Sequence, residues 1–153
     1  MSPLREAIHL LKYRGKVALA ATLGDLMGTA MDQLPAFDLL VPVPLHPTRL
    51  KEREFNQSLL LADRLNRRLR LPLSYDNLLR VRRTDPQTEL TRSARLKNLR
   101  RAFAVRRPGD IEGKRILLVD DVLTTGTTVN ECAKALRRAG AADVYVYTLA
   151  RTV

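Results

Sequence analysis

The sequence predicts an α/β fold built on a parallel sheet, and three observations predict it. Ile116 to Val119 is an unbroken apolar run rather than an alternating one, the pattern of a central parallel strand covered on both faces. A second apolar run, Phe37 to Val43, ends in Val41-Pro42-Val43-Pro44, where each proline denies the sheet a donor, so the strand finishes there. Between and around these runs lie segments with apolar residues at helical spacing, such as Val129, Cys132, Ala133 and Leu136. In open sheets of this kind, ligands bind at the carboxyl edge of the strands.

The elements follow in order. Ser2-Pro3 opens a helix with proline at its first position, and Leu4, Ala7, Ile8 and Leu11 line one face before Lys12-Tyr13-Arg14-Gly15-Lys16 breaks it. His9 sits beside that face and reads as a packing residue, not a ligand. A second helix spans about Val17 to Met31, with Ala and Gly that permit close packing. After the first strand, Leu45-His46-Pro47-Thr48-Arg49 reads as a loop at the carboxyl edge, and Arg49, Lys51 and Arg53 add positive charge beside it. Phe55 to Leu69 is amphipathic, Pro72 ends that region, and Leu73 to Val81 reads as a strand. From Val81 to Phe103 the chain is polar and arginine-rich, with one short helical piece from Ser93 to Leu99; such a segment is either disordered or a lid. In the last unit, Thr128-Val129-Asn130-Glu131 has the capping-box pattern of a helix start, and Gly140 closes that helix.

Composition sets the bounds. A chain of 153 residues, 45% hydrophobic, supports one core and is too short for two comfortable ones. A single cysteine excludes a disulfide framework, and two distant histidines exclude an ordinary zinc site within the chain, which fits a reducing, cytoplasmic setting. Val17 to Leu23 mimics a short signal core, but Gly24-Asp25 cuts it and no span approaches membrane length. Arg49 to Arg107 holds 17 Lys or Arg against six acids, a surplus equal to the whole net charge of +11. A basic middle of this kind favours a polyanionic partner, nucleic acid among the candidates, although for most single arginines a solvated surface is the simpler reading.

Chemistry concentrates in Asp120-Asp121-Val122-Leu123-Thr124-Thr125-Gly126-Thr127-Thr128. Four hydroxyls surround a glycine that lets the backbone turn tightly, and free N–H groups at a helix start make a phosphate seat. The two carboxylates would repel a bare phosphate, so they face sugar hydroxyls or a hydrated Mg²⁺. The plainer alternative is an acidic strand end that caps a neighbouring helix. Neither a Gly-x-x-x-x-Gly-Lys run nor a Gly-x-Gly-x-x-Gly run exists.

The thirteen residues from Ile116 to Thr128 resemble the phosphoribosyl-pyrophosphate (PRPP) motif of type I phosphoribosyltransferases. Longer stretches resemble the ComF/GntX family of phosphoribosyltransferase-like proteins, linked to competence and DNA utilisation. They are Lys12-Tyr13-Arg14-Gly15, Val41 to Pro47, Arg53 to Gln57, Gln87 to Leu90 with Arg92, Arg95 and Asn98, and Ala102-Phe103. The resemblance implies a Rossmann-like type I fold with a central, mostly parallel five-stranded sheet, a flexible loop and a small N-terminal helical hood at residues 1–34 over a core at 35–153. It also implies that Asp120 and Asp121 hold the ribose hydroxyls and Mg²⁺, and that Val122, Leu123, Thr124, Thr125, Gly126, Thr127 and Thr128 wrap the 5′-phosphate. By position, the stretch from Pro44 through Leu45, His46 and Arg49 to Arg53 would cradle pyrophosphate. Arg82 and Arg83 would stabilise the leaving group, with residues 82–98 closing as a lid. Two departures stand out. The cysteine-rich zinc ribbon that begins many members has no counterpart here, Cys132 being the one cysteine, and Glu54 stands where the family usually has glycine, beside Arg53.

The resemblance implies transfer of a phosphoribosyl group from PRPP to a nitrogen nucleophile that the sequence does not identify. Thr124 stands where the 6-oxopurine branch carries an aspartate base, so no activity with hypoxanthine or guanine is expected. The other reading is a non-catalytic PRPP-fold component of DNA uptake, acting on single-stranded nucleic acid or a helicase partner. An aromatic content of 5% with no Trp argues weakly against direct strand binding. A PRPP sensor without turnover is a third. Oligomeric state stays open, a homodimer being common among the proteins it resembles.

Overall fold

The computed structural model describes residues 2–82 and 92–152, apart from the side chains at 92, 95, 96 and 98. Helix α1 (Pro3–Arg14) begins where Ser2 Oγ accepts from Arg5 N and ends at Gly15, whose φ of 63° suits glycine. Helix α2 (Leu19–Gly28) is shorter than expected, since Ala18 offers no cap and a 3-10 turn at Met31–Gln33 takes over after Thr29.

Strands β1 (Leu39–Pro42), β4 (Arg115–Leu123) and β5 (Asp143–Arg151) form a parallel sheet in the order β1-β4-β5, with Val41 opposite Leu118 and Leu118 opposite Val146. The unbroken apolar run of β4 is explained by two separate clusters. Ile116 and Leu118 pack with Val129, Cys132, Ala135 and Leu136 of α6 (Thr127–Arg138). Leu117 and Val119 face the opposite way, onto Leu23 and Met27 of α2 and Leu61 and Leu65 of α4 (Gln57–Leu69). All four of these β4 residues are 0–1% exposed, and burying each contributes about 1.5–3 kcal/mol.

The sheet is narrower than expected. Five strands are present among the described residues, but β2 (Leu78–Arg80) and β3 (Phe103–Val105) pair antiparallel as a separate ribbon, and Leu73 reaches β1 only through one bridge to Leu40. Asn77, fully buried before β2, ties this ribbon to the chain after β3: it accepts from Arg107 N at 2.6 Å and donates to Arg107 O at 3.0 Å.

Three local expectations are corrected. Pro47–Arg53 is helix α3, not a loop, because His46 Nδ1 accepts from Thr48 N at 3.2 Å and Pro47 takes the first helical position. Strand β4 does not stop at Val119 but runs through the acidic pair, with Asp120 opposite Thr148 and Val122 opposite Ala150. The capping box at Thr128 does not form: α6 starts at Thr127 behind Gly126, no side chain caps it, and Glu131 pairs instead with Lys134 at 3.1 Å. The piece near 93–99 is α5 (Arg92–Leu99), and no helix among the described residues is long and apolar enough to cross a membrane.

Candidate functional site

The parallel β1–β4 register brings two loops to one sheet edge. Val43 N donates to Val119 O at 2.9 Å, so Pro44, Leu45 and His46 leave β1 beside Asp120. Asn56, the N-cap of α4, donates from Nδ2 to Val43 O at 3.1 Å and accepts from Ser58 N at 3.0 Å. This single side chain fixes the exit of β1 and the start of α4 together.

The geometry places Ser58, in the first turn of α4, against the acidic pair: its Oγ donates to Asp120 Oδ1 at 2.8 Å. Asp120 Oδ1 also accepts from Asp121 N at 2.8 Å, while Oδ2 accepts no hydrogen bond among the described residues. Burial, and secondly the charge of Asp121, raise the Asp120 carboxyl from 3.8 to about 7. Asp121 is different. It is 4% exposed, its Oδ1 accepts from Val122 N at 2.7 Å, and its Oδ2 meets Lys12 Nζ at 2.8 Å. The neighbouring carboxylates therefore have different neighbours, one a hydroxyl and the other an ammonium.

Past the pair, Leu123 leads into the exposed Thr124 and Thr125 and then Gly126, whose φ of 81° is a left-handed conformation that favours glycine. Thr125 Oγ1 lies 2.9 Å from Thr127 Oγ1 and accepts from Thr127 N at 3.4 Å. No side-chain cap consumes the remaining N–H groups of the first turn of α6, so this helix end is open to an anion.

The cations divide. Arg53, at the end of α3, donates to Gln57 Oε1 at 3.1 Å and stacks 5.4 Å from the Tyr13 ring centroid. Its neighbour Glu54 has φ 65°, which explains a glycine preference there by backbone conformation rather than by charge. Arg49, on α3, lies close enough to Arg80 of β2 for its charge to help depress the Arg80 guanidinium, after burial as the main cause. Arg82 is exposed and donates to Arg100 O at 3.5 Å, with no described contact to the acidic pair. Arg83 and the stretch from Gln87 to Leu90 lie outside the described residues, as do the side chains of Arg92, Arg95 and Asn98.

Sequence reasoning missed Lys12, Ser58 and Arg80. The signal for Lys12 was present in Lys12-Tyr13-Arg14-Gly15, and Ser58 directly follows the Arg53–Gln57 stretch. Nothing in linear order ties either to residues 120–121.

A central parallel strand carrying an acidic pair, then a glycine-centred hydroxyl turn and an uncapped helix, defines an α/β protein of the phosphoribosyltransferase type. Residues 56–152 match the model of the phosphoribosyl transferase domain. The chain is 39% identical to the DNA utilization protein YhgH of Escherichia coli strain K12, covering 99% of this chain and 68% of that protein. It is 34% identical to competence protein F of Haemophilus influenzae, covering 99% and 69%. It therefore belongs to the phosphoribosyl transferase domain family, in its ComF branch. Among solved structures, a glutamine PRPP amidotransferase from B. subtilis superposes with a TM-score of 0.57 at 23% identity, over 85% of this chain and 26% of that one, a likeness of fold.

Proposed function

We propose that the carboxyl edge of β1 and β4 binds PRPP and transfers its phosphoribosyl group to a nitrogen nucleophile, with release of pyrophosphate. The carrying observation is Asp120, a part-buried carboxylate held by Ser58 with its second oxygen open, one turn of chain from the uncapped start of α6. Asp120 Oδ2 would accept from a ribose hydroxyl. Thr124 to Thr128 and the first N–H groups of α6 would take the 5′-phosphate. Arg49 and Arg53, with Arg82 and Arg83 from the neighbouring segment, would supply positive charge toward departing pyrophosphate. An oxocarbenium-like centre needs such charge stabilisation and water exclusion more than a strong base.

Donor chemistry decides how Mg²⁺ fits. No group of three His, Cys, Asp or Glu that could hold a metal occurs among the described residues, and both Asp121 oxygens are engaged. Asp120 Oδ2 is the open carboxylate oxygen of the pair. Mg²⁺ keeps several waters and reaches such sites with substrate phosphates, so Asp120 would hold a metal-bound water and Asp121 would act through Lys12 and the strand backbone. When bound, Mg²⁺ supplies charge neutralisation on the pyrophosphate.

A second reading, a non-catalytic component of DNA uptake, is favoured by the names of the relatives, a DNA utilization protein and a competence protein. One experiment separates the two. Titration calorimetry with PRPP and Mg²⁺ is expected to give binding in the micromolar to millimolar range, weakened at least tenfold by Asp120→Asn, the usual cost of losing a charged hydrogen-bond acceptor. Pyrophosphate release with a panel of nitrogen nucleophiles then distinguishes transferase from sensor. Absence of PRPP binding together with salt-dependent binding of oligo-dT would replace this reading with the second.

A further inference from the structure

In the stretch Lys12-Tyr13-Arg14-Gly15 the lysine meets Asp121 Oδ2 at 2.8 Å, and the tyrosine beside it joins neither core cluster. Tyr13 lies about 100° further round α1 than Lys12. It is 63% exposed, yet its ring is held: the Arg53 guanidinium lies 5.4 Å from the centroid, and the His9 ring, one turn back on α1, lies at 4.9 Å with a tilt of 41°. Exposure alone does not bring such support. Tyr75 is 66% exposed, and no ring or guanidinium stacks on it among the described residues.

The contacts that hold Tyr13 lead into the candidate site. Arg53 donates to Gln57 Oε1 at 3.1 Å, and Ser58, the next residue, donates to Asp120 Oδ1 at 2.8 Å. Tyr13 is therefore linked to the acidic pair twice, to Asp121 by way of Lys12 and to Asp120 by way of Arg53, Gln57 and Ser58. A fixed aromatic surface binds a flat partner at low ordering cost, because the ring has already lost its freedom.

We propose that the Tyr13 ring is the surface on which the nucleophile lies, and that the nucleophile is a planar nitrogen heterocycle of the nucleobase class, free or carried in a single strand. The inference rests on the phosphoribosyl transfer proposed above and names its acceptor class. Ammonia or an aliphatic amine would gain nothing from a π surface, whereas every base has a face to stack. In the transfer, the lone pair of a heterocycle nitrogen bonds to C1 of the ribose as the C1–O bond breaks, and pyrophosphate leaves with that electron pair. A proton on the attacking nitrogen passes to water or to pyrophosphate.

The test is calorimetric titration of the whole chain with adenine, cytosine, uracil, orotate and oligo-dA, each with and without PRPP and Mg²⁺. At least one of these is expected to bind. Tyr13→Ala is expected to raise its Kd about tenfold, the usual loss when a base loses its stacking partner, and Tyr13→Phe to stay within about threefold of wild type. The Kd for PRPP and the melting temperature are expected to stay near wild type in both variants. Oligo-dA binding that depends on Tyr13, without binding of any free base, would support the ring as the surface and make a strand the source. Base binding that depends on Tyr13 in a protein that does not bind PRPP would sink the transfer reading and leave the stacking surface standing. The proposal is overturned by a Tyr13→Ala variant that binds every heterocycle as wild type does, by the absence of all heterocycle binding, or by PRPP affinity falling in parallel, which would make the ring a brace for Arg53. Pyrophosphate release with ammonium as fast as with any heterocycle would overturn it too.

Discussion

Lys12 Nζ lies 2.8 Å from Asp121 Oδ2, joining the last turn of α1 to the central strand through a carboxylate that is 4% exposed. The pair carries an element 109 positions away in sequence onto the candidate site. A buried charge of this kind is tolerated only while compensated.

Removing the ammonium should therefore be costly. Lys12→Met leaves Asp121 buried without its counter-ion, and about 3 kcal/mol of stability should be lost in urea unfolding. Adding Asp121→Asn should recover most of it, since the remaining amide is neutral. A single variant within 0.5 kcal/mol of wild type would show that the ion pair contributes little.

Stability should fall as pH rises through the neutral range on account of Asp120. Its folded-state value is raised from 3.8 to about 7, chiefly by burial, so between these limits the folded chain binds a proton that the unfolded chain has lost. The contribution is greatest below about pH 4, declines toward pH 7 and is fully lost above it. Asp120→Asn should flatten this component of the melting temperature measured from pH 5 to 8. Binding of PRPP, which needs the ionised acceptor, should strengthen over the same interval in wild type.

Glu54→Gly should stabilise the chain by about 1 kcal/mol, because φ at this C-cap is 65° and a side chain is penalised there. The same change removes a carboxylate next to Arg53. Chemical denaturation measures the first effect, and pyrophosphate affinity, expected to rise, measures the second. A loss of stability would mean that the Glu54 side chain makes up for its backbone.

Gly24→Ala should destabilise by about 1–3 kcal/mol. A Cβ at this position would stand 2.6 Å from Arg64 Cβ and 3.4 Å from Leu61 O, atoms of the facing helix that cannot swing aside. Separation of α2 from α4 would also disturb the Arg64–Asp25 pair, at 2.8 Å. An unchanged melting temperature would indicate that the helices slide apart freely.

Hypoxanthine and guanine should not serve as acceptors. Thr124 is exposed at the turn and its hydroxyl takes no proton at neutral pH, so an incoming purine would lack a base there. Pyrophosphate release at a rate comparable to the preferred nucleophile, with either purine, would refute this.

The sequence by itself determined the local elements that need only their own residues. Ser2-Pro3 and Gly15 bound α1, the run Ile116 to Val119 makes a doubly covered strand, and Gly126 turns the chain before α6; each follows from backbone conformation or hydrophobic patterning over a few positions. Where a local signal failed, the groups it involved had found other partners. β2 pairs with β3 beside the Asn77–Arg107 contact instead of joining β1, β4 stays paired with β5 through its acids, and Glu131 meets Lys134 rather than closing a capping box.

Only the tertiary structure decided which charges meet. Two adjacent aspartates are indistinguishable in linear order, yet one meets Ser58 of α4 and the other Lys12 of α1. Hydrophobic spacing records which face of an element is buried, but not which polar side chain arrives from across the core. That is set by the packing of whole helices, and it is what makes Asp120 the open carboxylate and Asp121 the closed one.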